Sequence, residues 1–340
     1  MSIELIISLV KANIVLAVLL TNTILLIWFE RKVVAGMQSR VGPDRAGPFG
    51  ILQTLADAIK LLLKEQILPS KADRAMYLLA PLIALVPSFL IFMIIPLGPD
   101  ITVEWQNVLY TIPLVGADLN VGVLYFLALS SIAVYSVVLA GWSSGSKYPL
   151  LGGVRASAQM ISYEAAMGLA LVPVILYSGS LSLVDIVNSQ SGNLSSSIPI
   201  LNTIVSFIPK WNIFPQFVAF GIFFIAAVAE VNRAPFDLVE AEQELVGGFH
   251  TEYSGFRFAM FFLAEYINMF NMCAITATFF LGGWLGPTFE GILPPIFSVI
   301  MPIIWLGVKT FLLLFVFVWI RATLPRLRYD QLMELGWKRM

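Results

Sequence analysis

The sequence predicts an all-α polytopic membrane protein, with about seven to eight transmembrane helices and one amphipathic surface helix. Three observations carry that expectation. Of 340 residues, 59% are hydrophobic and 12% charged, with a mean hydropathy of +0.87, against about 45–50% apolar and about 25% charged in a soluble domain. Apolar runs of roughly 20 residues, the length that crosses a bilayer, recur along the chain. Lysine and arginine crowd into alternate loops between those runs.

The first run, Leu5–Phe29, is too long for the apolar core of a signal peptide and has no small-residue cleavage site. It passes directly into Glu30-Arg31-Lys32 and reads as a first span. Loop 30–74 follows. Its stretch Gly42-Pro43-Asp44-Arg45-Ala46-Gly47-Pro48 is turn chemistry, with prolines fixing φ and glycines permitting close backbone approach. Phe49–Glu65 is amphipathic at helical spacing: Leu52, Leu55, Ala56, Ile59, Leu62 and Leu63 form one face and Gln53, Asp57, Lys60 and Lys64 the other. The further spans are Ala75–Leu97, Val121–Gly141, Ala156–Tyr177, Phe214–Val231, Phe256–Gly282 and Ile296–Ile320. Ser180–Ser197 reads as a polar connector. No internal repeat or soluble domain interrupts the chain, so residues 1–340 read as a single integral membrane domain.

Loop 30–74 carries Arg31, Lys32, Arg40, Arg45, Lys60, Lys64, Lys71 and Arg74; loop 142–155 carries Lys147 and Arg155; the basic tail 321–340 carries Arg321, Arg326, Arg328, Lys338 and Arg339. The alternate loops 98–120, 178–213 and 283–295 hold only Lys210. Positive-inside asymmetry therefore puts the N-terminus outside and residue 340 inside. Composition also excludes chemistry. With one cysteine and one histidine, the chain alone cannot supply the roughly four ligands of an iron–sulfur cluster or structural zinc, nor the pair of histidines of a bis-His haem. No glycine fingerprint for a nucleotide follows a strand-like segment. A net charge of −1 without a basic run gives no sign of a nucleic-acid partner.

The acidic inner loop 232–255 breaks this pattern. The segment Ala229–Tyr253 holds Glu230, Asp237, Glu240, Glu242, Glu244 and Glu252 against Arg233 and His250. Carboxylates beside hydrocarbon are costly to desolvate, and their presence points to a proton path or ligand cavity. Glu164, Glu230 and Glu265 fall in or at the ends of spans, as do Lys11 and Lys309. A structural ion pair is the plain alternative for each, and Lys11 is also placed to snorkel to the outer surface. Arg155, Gln159, Ser162 and Tyr163 lead into Glu164 and could extend it into a hydrogen-bonded wire.

Three strings then carry a resemblance over nearly the whole chain: ERKVVAGMQSRVGPDRAGPFG with the following LADAIKLLLKE, AEVNRAPFDLVEAEQELVGGFHTEYSG, and RATLPRLRYDQLMELGWK. They resemble the H subunit of proton-pumping NADH:quinone oxidoreductase, respiratory complex I, the equivalent of mitochondrial subunit 1. The resemblance implies a non-autonomous subunit that forms the membrane part of the quinone chamber and its portal. It also implies the start of an acidic path linking quinone reduction to proton translocation. No cofactor is implied as tightly bound here: quinone is a diffusible substrate, and iron–sulfur clusters and flavin belong to partner subunits. The implied partners are the hydrophilic quinone-module subunits, neighbouring small membrane subunits and lipid.

Carried over by motif, Glu30, Arg31 and Arg40 match the charged chamber entrance, and Asp57, Lys60 and Glu65 the polar stripe of the surface helix. Glu164 and Glu230 match membrane carboxylates of the acidic path; Asp237, Glu240, Glu242 and Glu244 match the loop beside the chamber, and Arg233 its arginine. Glu252 and Glu265 are similar in place. Members of the family continue beyond GWK into a last hydrophobic helix, which would carry the C-terminus outside. The host membrane expected is the bacterial plasma membrane in preference to the mitochondrial inner membrane. The alternatives are the related membrane subunit of an energy-converting hydrogenase and a stand-alone ion transporter; against the latter stands the lack of an inverted repeat.

Overall fold

A computed structural model of the chain describes residues 3–105, 108–193, 209–238, 246–287 and 296–340. In chain order the elements are α1 (Ile3–Met37), α2 (Gln53–Leu63), α3 (Arg74–Met93), β1 (Ile101–Trp105), β2 (Val108–Ile112), α4 (Gly122–Ser143), α5 (Lys147–Ser178), α6 (Leu183–Ser189), α7 (Phe217–Glu230), α8 (Gly255–Phe280), α9 (Ile296–Thr323) and α10 (Tyr329–Glu334). Short 3-10 turns stand at Pro48–Gly50 and Gly248–His250. Among the described residues the structure is all-α apart from β1 and β2, an antiparallel pair matching Ile101 with Ile112, which hydropathy alone left as an outer loop.

Among the described residues, six helices are long and apolar enough to cross a bilayer: α1, α3, α4, α5, α8 and α9. The seventh expected span, Phe214–Val231, becomes the 14-residue helix α7. At 1.5 Å per residue it is about 21 Å long, short of a roughly 30 Å hydrocarbon core. Its first residues are taken by turns instead: Gln216 N bonds Asn212 O at 2.9 Å, and Pro215 lies in that turn. The polar connector also holds more than loop. Ser182 caps α6 by accepting from Asp185 N, and Leu183, Ile186 and Val187 are buried.

The central helix is α8, with 61% of its most apolar stretch buried; α1, with 17%, lies at the edge. Phe126, Met167, Phe223, Ile267, Phe279 and Phe317 belong to the main core around α8. A second cluster, with Tyr77, Val137, Ala156, Phe249 and Phe261, seals one end. Small residues set the closest approaches, as membrane helices require when packing rather than hydrophobicity drives association. A Cβ on Gly141 would lie 2.5 Å from Pro149 O, and one on Gly152 would lie 2.7 Å from Gly248.

The basic loops gather at one end of the bundle. Asp73 N bonds Ser143 O at 3.0 Å, and Ile67 N bonds Ser254 Oγ at 3.0 Å. The sparsely charged loops meet at the other end, where Lys11 Nζ donates to Pro113 O at 2.9 Å and Val123 N to Leu181 O at 3.0 Å. Alternating loops thus sort to opposite ends, as the lysine and arginine distribution predicts.

Candidate functional site: a buried charge cluster and its cavity

The amphipathic stretch forms a helix over Gln53–Leu63, shorter than 49–65 because Phe49 and Gly50 take positive φ and close the preceding turn. That turn is tight: a Cβ on Gly50 would run into the Pro43 carbonyl, and Trp28 Nε1 donates to Phe49 O at 2.8 Å. The helix turns its apolar face outward. Leu52, Leu55, Ile59, Leu62 and Leu63 are exposed, while Thr54 is buried. On its inner side Asp57 pairs with Arg31 at 2.6 Å and accepts from Gln53 at 3.1 Å.

Deeper in, four elements bring opposite charges together. Glu30 from α1 is met by Arg233, from the turn after α7, at 3.3 Å and by Arg321 from the end of α9. The Arg233 Nε also reaches Glu265 of α8 at 2.6 Å, and its guanidinium lies 4.3 Å from the Tyr266 ring centre. The Glu30 and Arg233 side chains are each only 6% exposed. Two carboxylates against two guanidiniums leave the group formally neutral, which is what makes its burial tolerable. Burial works against the Arg233 cation, but the carboxylates of Glu265 and Glu30 outweigh it and hold its pKa well above the ordinary value. The turn delivering Arg233 passes through Asn232 at φ 54, a conformation asparagine tolerates better than most residues.

Beside this cluster, Glu230 is buried at the end of α7 and accepts from Ser130 Oγ at 2.8 Å. Glu164 on α5 is bonded to the adjacent Ser131. The Ser131 hydroxyl also lies 3.1 Å from Leu127 O, so its single hydrogen serves either of two acceptors. A cavity of about 70 Å³ opens between Glu230, Asn232, His250, Glu265 and Asn268. Glu230 Oε2, Asn232 Oδ1 and Asn268 Oδ1 are buried without a protein partner among the described residues. A volume of this size accommodates about two water molecules, and water is what such oxygens ordinarily take.

The remaining expected residues stand apart from this cluster. Asp237 pairs with Arg326 at 3.2 Å. Arg40 is exposed and bonds Gln38 at 2.7 Å, and Lys60 and Glu65 are exposed. At Glu252 the backbone carbonyl accepts from Tyr77 at 2.8 Å. Glu240, Glu242 and Glu244 lie outside the described residues. The polar run before Glu164 makes clasps rather than a wire. Gln159 donates to Ala229 O and Phe236 O, both at 2.8 Å; Tyr163 donates to Leu332 O at 2.9 Å; Ser162 accepts from Trp337 at 3.0 Å. Each group is committed to a backbone or C-terminal partner instead of to Glu164. Among the described residues, Lys11 and Lys309 likewise bond carbonyls rather than carboxylates.

Sequence reasoning missed Ser130, Ser131, Asn232 and Asn268, and treated Arg321 only as a topological charge. The signal for the first two was a pair of hydroxyls, Ser130-Ser131, inside an otherwise apolar span; that for Arg321 was its position at a span's end. Neither shows which carboxylate it will meet.

Comparison with known proteins is decisive about ancestry. A family model described as NADH dehydrogenase matches residues 10–340. The chain belongs to that family. Its relatives include an H subunit of NADH-quinone oxidoreductase, numbered 2, from Syntrophobacter fumaroxidans, 51% identical over 328 residues, covering 96% of this chain and 89% of the relative. The protein of the same name in Koribacter versatilis is 48% identical over 342 aligned positions, covering 98% and 92%. The H subunit of NADH-quinone oxidoreductase from Frankia casuarinae is 52% identical over 332 residues, covering 97% and 68%. This member of the family is a multi-pass membrane protein by the length and apolarity of its helices.

Proposed function

We propose that the chain is the membrane subunit of a bacterial NADH-quinone oxidoreductase that walls the quinone chamber and starts the acidic path coupling quinone reduction to proton translocation. It works as one membrane domain in the plasma membrane, against hydrophilic and membrane partner subunits that hold the flavin and iron–sulfur clusters. The carrying observation is the juxtaposition of the Glu30–Arg233–Glu265–Arg321 cluster with a cavity that Glu230 and Glu265 both line.

Reduction of a quinone takes up two protons and changes the charge at the chamber. Paired groups held at low exposure respond strongly to such a change, because the local dielectric screens them little. Arg233 contacts both carboxylates, so a charge felt at Glu30 alters its hold on Glu265. Glu265 shares the cavity with Glu230, and the adjacent Ser130 and Ser131 join Glu230 to the neighbourhood of Glu164. These residues hold and hand on protons; the electrons come from a partner's cofactor. The outward apolar face of α2 supports a helix lying in the lipid interface at the chamber's mouth, with Arg31 and Asp57 on its protein side.

The test uses Glu164→Gln and Glu230→Gln in assembled complexes reconstituted into liposomes. Quinone reduction with lowered proton translocation is the expected result; full stoichiometry in both would end the coupling proposal. Photolabelling with a quinone analogue separates this reading from the hydrogenase-type one, which binds no quinone.

A further inference from the structure

Three backbone carbonyls converge on a single nitrogen at the C-terminal end of α8, away from the charge cluster. The Lys309 Nζ, on α9, donates to Leu281 O at 2.6 Å, Gly283 O at 2.9 Å and Leu285 O at 2.5 Å. The Trp211 ring centre lies 4.3 Å from the same nitrogen, and Lys309 is only 5% exposed. An ammonium has three donors and no acceptor, so three carbonyls use every hydrogen it carries. The indole takes the cation on the side the carbonyls leave.

The carbonyls are there because α8 ends at Phe280, and the last four carbonyls of a helix have no partner within it. The chain satisfies them one after another. Thr278 O accepts from Gln190 at 3.0 Å, Phe279 O from Asn212 at 2.8 Å and Phe280 O from Ile213 N at 2.9 Å. Leu281 O and two carbonyls of the following turn are left for Lys309. Gly282 and Gly283, at φ 73 and 49, curl the turn so that these oxygens face inward. The fit is close, since a Cβ on Gly282 would lie 2.6 Å from Trp211. Carbonyl oxygens at the negative end of a helix dipole, over an aromatic floor, make a site for a small monovalent cation by their chemistry alone.

We propose that residues 281–285 with Trp211 form a monovalent-cation site which the chain fills in cis with the Lys309 ammonium. Lys309 is thereby a positioning residue. It fixes the height of α9 against α8, and so the register of Arg321 with Glu30. Lys309 and Arg321 are the cations of α9; twelve residues at 1.5 Å each separate them by about 18 Å along the axis, with Lys309 near the middle of the helix and Arg321 in its last turn. This inference stands apart from the quinone and proton reading, and its failure leaves that reading untouched.

The experiment compares Lys309→Ala with the wild type in the assembled complex, across buffers containing ammonium, methylammonium, rubidium or tetramethylammonium chloride at equal ionic strength. The expected result is a lowered thermal midpoint and faster hydrogen exchange at residues 321–327, both restored by ammonium, methylammonium or rubidium and not by tetramethylammonium. Rubidium density should then appear among Leu281 O, Gly283 O and Leu285 O. A Lys309→Ala complex as stable as wild type overturns the proposal, as does a loss that no cation restores. Where Lys309→Ala does not assemble, Lys309→Arg and Lys309→Met decide. A cation site accepts arginine and rejects methionine, whereas equal behaviour of the two refutes it.

Discussion

Ser130 and Glu230 are 100 positions apart in the chain and 2.8 Å apart in the bundle. The next residue, Ser131, holds Glu164. Successive helix residues point about 100° apart, so neighbouring hydroxyls on α4 reach different helices, α7 and α5. An intramolecular hydrogen bond contributes about 0.5–1.5 kcal/mol net. Ser130→Ala is therefore expected to slow proton translocation by up to about tenfold, taking roughly 1.4 kcal/mol as a factor of ten, with Ser130→Thr close to wild type. Proton uptake measured in proteoliposomes, normalised to assembled complex, checks this. An alanine variant with the wild-type rate would remove Ser130 from the path.

Arg233 serves two carboxylates at once, Glu30 at 3.3 Å and Glu265 at 2.6 Å. Arg233→Met takes the guanidinium from Glu265 and leaves Glu30 to Arg321, and breaking a buried pair from one side costs about 3–5 kcal/mol. The complex is expected to assemble poorly. Adding Glu265→Gln in the same chain should recover part of the loss, because the charge left without its guanidinium disappears. A thermal-melt double-mutant cycle reads the coupling, and strict additivity would mean that the two groups do not interact.

How much of this was legible beforehand depended on the kind of signal. The places of most spans, the alternation of basic loops and the two faces of α2 follow from hydropathy and periodicity, which act locally; the shortness of α7 does not. Glu230 and Glu265 were visible because charge inside an apolar run is conspicuous. Their partners were not. Arg321 meets Glu30 across a separation of 291 residues, and nothing in either neighbourhood specifies the other. Gln159, Ser162 and Tyr163 misled for a related reason. Spacing put them on the approach to Glu164, but hydrogen-bond direction depends on which carbonyls come near, and the turn after α7 and the tail came near first. The pairing of β1 with β2 was hidden because a short apolar strand between two spans has no period to distinguish it.

Tyr77 and Tyr253 stack at 4.0 Å, and each hydroxyl reaches the other's segment: Tyr77 donates to Glu252 O at 2.8 Å and Tyr253 to Tyr77 O at 3.1 Å. Burial pushes the Tyr253 phenol up to about 12, against about 10 when solvated. The unfolded chain therefore releases this proton first. Between roughly pH 10 and 12 the folded state binds more protons, and stability falls as pH rises. Tyr253→Phe should lower the thermal midpoint slightly at neutral pH, through one hydrogen bond of about 1 kcal/mol, and flatten the alkaline decline. An unchanged alkaline limb in the phenylalanine variant would assign the decline to another group.

Gln159 gives the most direct test of how the acidic turn is held. Its amide nitrogen donates to Ala229 O and Phe236 O, both at 2.8 Å, bridging the end of α7 and the far side of the Arg233 turn. The residue is wholly buried, so no water replaces those bonds when they are lost. Gln159→Leu keeps the volume roughly constant and removes both bonds, leaving Ala229 O to Asn232 N and Phe236 O to Leu238 N, at about 0.5–1.5 kcal/mol for each bond lost. Glu230 and Arg233 lie within the bridged segment, so the expected loss extends beyond stability. Hydrogen exchange should quicken across residues 229–238, and proton translocation should fall further than quinone reduction. Gln159→Glu distinguishes geometry from mere polarity. A carboxylate accepts where the amide donates, so it repels both carbonyls and should do worse than leucine. If glutamate proves the milder change, the bridge is not what positions the turn.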